Sequence, residues 1–80
     1  MTYADVILKR LEELCRERNI TLNKLATISG ITQSTLGNLT KGSSKNPNIK
    51  TLHRLSVGMD MTVSELLDFP EMNDTVFDDE

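Results

Sequence analysis

The stretch from Thr21 to Gly42, TLNKLATISGITQSTLGNLTKG, constrains this chain more than any other. It reads as two short helices joined by a tight turn. Thr21 is placed to cap the first, because its hydroxyl can accept from an orphan backbone N–H. Leu25, Ala26 and Ile28 give that helix an apolar side. Gly30 falls where the chain has to turn, and glycine takes positive φ without a Cβ clash. Thr32 is placed as a second N-cap. Leu36 and Leu39 share one face of the second helix, and Gly42 follows as its stop. The other face of that helix presents Gln33, Ser34, Gly37, Asn38 and Lys41. It is bare and carries amides.

The flanking segments continue the helical pattern. Residues 4–18 repeat Ile7, Leu11 and Leu14 at helical spacing, with Leu8 and Cys15 beside them, which predicts an amphipathic helix. Asn19 is a plausible left-handed stop, and Ile20 is expected to fold back on the core. After Gly42 the run SSKNPN predicts a loop, since Pro47 excludes helix just before it. Asn48 is placed to cap IKTLHRLSVGM, with Ile49, Leu52, Leu55 and Met59 on one side and Lys50 and Arg54 on another. Asp60 is expected to end that helix. Thr62-Val63-Ser64-Glu65 has the form of a capping box ahead of Leu66 and Leu67. Pro70 is expected to close this last short helix and to leave the acidic tail EMNDTVFDDE. The reading is all-α with five helices: one domain over 1–69 and a tail over 70–80.

Leu25-Ala26, Ser29-Gly30-Ile31, Leu36 and Leu39, followed by KGSSKNPNIKTL and MTVSELL, resemble the helix-turn-helix of the phage repressor and Cro family. The resemblance runs from about residue 5 to 69. It implies a lambda-repressor-like fold and a small repressor-like transcription factor that binds double-stranded DNA. The helix over 32–41 would enter the major groove. Gln33, Ser34 and Asn38 would face base edges, where Gln and Asn can bond adenine bidentately. Gly37 would permit close approach. Thr32, Thr35, Lys41, Ser43, Ser44 and Lys45 would hold phosphates, which sets register without reading sequence. One module of this size buries little surface on DNA, so a two-fold homodimer is expected. Its contacts would come from Leu67, Phe69, Met72, Val76 and Phe77.

Charge at first argues against nucleic acid, for the net is −3. The distribution reverses this. All nine Lys and Arg lie in residues 1–56. Residues 57–80 hold eight of the twelve acids. Between Thr21 and Arg54 there are five bases and no acid. A phosphate backbone responds to that local patch, because screening removes contributions beyond about 8 Å at physiological salt.

No run of apolar residues is long enough to span a bilayer. No basic region followed by an apolar stretch and a cleavage site opens the chain, so no secretion signal is read. Cys15 is the single cysteine and is expected as a small buried hydrophobe in a reducing cytoplasm. His53 has no second ligand at metal-binding spacing. No nucleophile with a base and no phosphate loop suggests an enzyme, and neither a cofactor nor a small-molecule ligand is expected. The acidic tail is read either as a solvated segment, as a dimer-interface strand, or as a screen of the basic face. The alternative function is a protein-interaction module built on the same fold.

Overall fold

The structure is a computed structural model that describes residues 3–41 and 46–74. Among them are six helices: α1 (Tyr3–Arg18), α2 (Leu22–Ser29), α3 (Gln33–Thr40), α4 (Ile49–Gly58), α5 (Val63–Leu66) and α6 (Pro70–Asp74). No strand occurs among the described residues.

Four helices begin by one chemistry. Thr21, Thr32, Asn48 and Thr62 each hold extended φ/ψ and accept from the backbone N–H three residues on. This satisfies one of the orphan donors of each first turn. At Thr62 the box closes in both directions: the Thr62 N–H donates to Glu65 Oε1 at 2.8 Å and the Glu65 N–H to Thr62 Oγ1 at 3.1 Å. That backbone bond holds the Glu65 carboxyl below its ordinary pKa.

Three helices also end alike. Asn19, Gly30 and Asp60 take positive φ of 57°, 72° and 58°. The amide after each reaches back: Ile20 to Cys15, Ile31 to Ala26 and Met61 to Ser56. This doubles the chain back so that the next apolar residue lands on the core. Ile31 is buried there, and Ile20 and Met61 pack against it. The helix α3 differs. Its C-cap is Lys41 in ordinary right-handed geometry, donating to Gly37 O, and Gly42 lies outside the described residues.

The core gathers Val6, Ile7, Leu11 and Leu14 of α1 with Leu25, Leu36, Leu55 and Leu66 of the other helices. Here α1 packs against α2, α3 and α6, while α2 lies along α4. Cys15 is buried, which pushes its thiol pKa up by desolvation.

Two residues placed on apolar sides of their helices are on the outside. Ile28 is 50% exposed and Ile49 is 69% exposed. The face of α4 turned inward runs through Leu52, Leu55 and Ser56, and no described element covers its first turn. Pro70 does not close a helix but opens α6. Proline suits a first helical position, where its missing N–H has no partner to lose. Met72 of α6 packs against the core, and Lys9 of α1 stands 4.0 Å from Glu71.

Candidate nucleic-acid interface

The helix α3 is anchored by Leu36 and Leu39, both buried, and by Ile31 in the turn before it. With that side fixed, Gln33, Ser34, Asn38 and Lys41 are exposed and Gly37 is half-buried. Those four side chains and the bare Gly37 make up the outward surface of the helix. Thr32 is exposed and Thr35 half-buried. The Thr32 hydroxyl serves the cap: it accepts from the Thr35 N–H and donates to Thr35 Oγ1, both at 3.0 Å. The Thr35 hydroxyl keeps its own proton to give elsewhere.

Grooves flank α3 on both sides. One, of about 480 Å³, is bounded by Thr21 and Asn23 at the start of α2 and by Gln33, Gly37 and Lys41. The other, of about 180 Å³, runs between Thr35 and Asn38 and the start of α4, at Asn46, Asn48 and Thr51. The helix therefore lies between two helix N-termini. Each N-terminus presents unpaired N–H groups and a partial positive charge. Sequence reading did not single out Asn23 or Thr51. The cap residues Thr21 and Asn48 were the available signal, because an N-cap marks where such donors gather.

Arg54 has a structural task that its spacing from Lys50 did not reveal. Its Nη1 donates to Gly30 O at 3.0 Å, tying α4 to the turn between α2 and α3. Arg10 does the same for α5. Its Nε and Nη2 donate to Leu66 O and Glu65 O at 3.1 and 3.0 Å, and the guanidinium stands 5.1 Å from the Phe69 ring centroid.

The family profile described as the Cro/C1-type HTH DNA-binding domain matches residues 10–71. The chain belongs to the Cro/C1-type helix-turn-helix family. It is a DNA-binding regulator of transcription in type. It is similar to the SPbeta prophage-derived HTH-type transcriptional regulator YopS of Bacillus subtilis (strain 168), at 32% identity over 74% of this chain and 80% of the relative. It is similar also to the HTH-type transcriptional regulator SinR of the same organism, at 30% identity over 88% of this chain and 61% of that protein. The crystal structure of the prophage Lp1 protein 11 superposes with a TM-score of 0.84 at 33% identity, covering 91% of this chain and 96% of the other. The all-α Cro/C1 fold is thus shared along nearly the whole chain.

The remaining residues singled out from sequence fall as follows. Ser43, Ser44 and Lys45 lie outside the described residues, as do Val76 and Phe77. Phe69 is buried in the protomer's own core at 8% exposure, which leaves little of it for a partner. Leu67 and Met72 are half-buried and line an apolar cleft of about 150 Å³ with Tyr3, Ile7 and Leu52. No helix among the described residues is long and apolar enough to cross a membrane.

Proposed function

We propose that this Cro/C1-type protein recognises a specific operator by placing α3 in the major groove. Gln33, Ser34 and Asn38 meet base edges, and Gly37 lets the helix backbone approach closely. Phosphates on either side are held by Thr32, Thr35, Lys41 and the Ser43-Ser44-Lys45 segment, with the N-termini of α2 and α4 directed toward the two strands. The observation that carries this reading is the bare amide-bearing face of α3 set between two helix N-termini, in a stretch that has no acid from Thr21 to Met59. The protein acts by binding rather than catalysis, in the cytoplasm and as a repressor. Two copies bind one operator as a two-fold homodimer, with Leu67, Met72, Val76 and Phe77 as the residues nearest the pairing surface.

Selection of bound duplexes from a random pool tests this reading directly. An enriched site is expected. On that site Gln33→Ala and Asn38→Ala should each lose about 1–3 kcal/mol and relax preference at one or two base positions, with little loss on random DNA. Lys41→Ala should weaken both alike and reduce the steepness of the log K against log salt plot by about 1. Equal losses on both DNAs for Gln33→Ala and Asn38→Ala would remove those residues from base reading. A pool that yields no enriched site would remove sequence-specific binding.

A further inference from the structure

The α2–α4 face carries a feature that DNA binding leaves unused. Three large hydrophobic side chains are exposed among the described residues: Ile28 at 50%, Ile49 at 69% and Val57 at 64%. They are not scattered. Ile49, His53 and Val57 follow at four-residue intervals on α4, which sets them in one line along the helix. Ile28 of α2 meets that line across a cleft of about 160 Å³ walled by Ile28, Ser29, His53, Arg54 and Val57. Single exposed apolar residues are ordinary, whereas a contiguous strip marks an interaction site. The stability of the lone chain does not call for such a strip.

The cleft stands clear of α3's outward surface. Ile28 is about 9 Å along α2 from Leu22, and Val57 about 14 Å along α4 from Asn48, at 1.5 Å per residue. Its surroundings are mainly basic, although Asp60 follows Val57 by three residues and its N–H donates to Val57 O at 3.0 Å. No acid occurs between Thr21 and Met59, Lys24 stands one turn before Ile28, and Lys50 one turn before Arg54. Arg54 gives one N–H to Gly30 O and keeps the rest of its fork. The complementary ligand is an extended acidic segment bearing large apolar side chains.

The chain contains such a segment in its last six residues, Thr75-Val76-Phe77-Asp78-Asp79-Glu80. We propose that the Ile28–Val57 cleft receives Val76 and Phe77 from a second copy of this chain, with Asp78, Asp79 and Glu80 set against Lys24, Lys50 and Arg54. A copy's own tail would have to be fully stretched to serve. Met72 of α6 shares a cleft with Leu52. From Leu52, Val57 lies about 140° around α4 and 7.5 Å further along, a path of about 14–17 Å over a helix 10–12 Å across. From Met72 to Phe77 the chain spans at most about 17 Å, which covers that path only when fully stretched. Exchange of two tails between two copies closes a two-fold pair. The proposal rests on the two-copy reading above and names its contacts.

The test uses three full-length chains: the native one, a tail variant with Val76→Asp and Phe77→Asp, and a cleft variant with Ile28→Asp and Val57→Asp. The cleft substitutions fall on exposed positions, and far-ultraviolet circular dichroism checks that both variants keep native helicity. Sedimentation velocity at one concentration and low salt is expected to show the native chain as a pair that weakens as salt rises. Each variant alone is expected to sediment as a monomer. An equimolar mixture of the two should recover a pair, because one supplies a cleft and the other a tail. A mixture that stays monomeric overturns the proposal, as does a cleft variant that pairs by itself or a native chain that never pairs. Binding of all three chains to a single selected half-site is measured in parallel. Its loss would count against the DNA reading alone, and its retention beside a failed mixture would count against the tail and cleft alone.

Discussion

A Cβ built on Gly37 would meet nothing within 4 Å, and the residue has no positive φ. Neither the backbone nor the packing of the lone protein asks for glycine there. Alanine at a helix interior is favoured over glycine by about 0.8–1 kcal/mol. On the proposed reading, glycine there lets α3 approach the DNA surface closely. Gly37→Ala is expected to raise the melting temperature by about 4–8 °C while weakening binding to the selected site. Thermal melting and a DNA titration on one sample check both halves. A variant that melts higher and binds unchanged would take Gly37 out of the interface. Gly30 is the opposite case: its φ of 72° is one that L side chains resist, so its glycine is a requirement of the turn itself.

Between elements, the packing of α2 against α4 depends on a residue that no helical pattern marks. A Cβ on Gly58 would overlap Ser29 Oγ and lie 3.1 Å from Ser29 Cβ and 3.2 Å from its Cα. The two helices meet there with no room for a methyl group. Gly58→Ala should destabilise the protein by about 1–3 kcal/mol through overpacking, and Ser29→Gly added to it should restore part of the loss. Ser29→Ala alone should be neutral or stabilising, because it removes a buried hydroxyl with no partner. Urea unfolding of the four chains checks the set. A Gly58→Ala chain as stable as the native one would mean that α4 can shift away from α2. The starts of α2 to α5 were legible beforehand, since Thr21, Thr32, Asn48 and Thr62 cap through their own hydroxyl or amide groups. The tie from Arg10 to Leu66 O spans 56 residues, and nothing near Arg10 announces it.

For the whole molecule the charge pattern matters more than the sum. The net of −3 hides a base-rich first part and an acid-rich end. The described residues extend 34 × 25 × 20 Å, so one copy presents a single α3 to the DNA. A paired protein then requires half-sites on one side of the duplex, about 34–36 Å or one turn apart. Once one half-site is held, the second contact is intramolecular and gains from effective concentration. Inserting about five base pairs, half a turn, between the half-sites should reduce affinity to that of a single half-site. Electrophoretic mobility shift across a spacer series checks this. Affinity that ignores the spacer would mean that each copy binds alone.

The sequence by itself determined what is local. Caps, left-handed stops and apolar spacing act within a few residues, so the helix-turn-helix and the outward amide face of α3 could be read from Thr21 to Lys41. Only the tertiary structure decided which apolar faces find a cover and which distant groups meet. A periodic pattern shows what a helix can bury, but burial needs another element against it. Among the described residues Ile28 and Ile49 are not covered, and both are exposed. Pro70 stops one helix or starts another according to what its segment packs on, and here α6 rests on α1. Arg54 counts as a patch charge in sequence and as the tie to Gly30 O in space, because that role depends on where α4 crosses the turn.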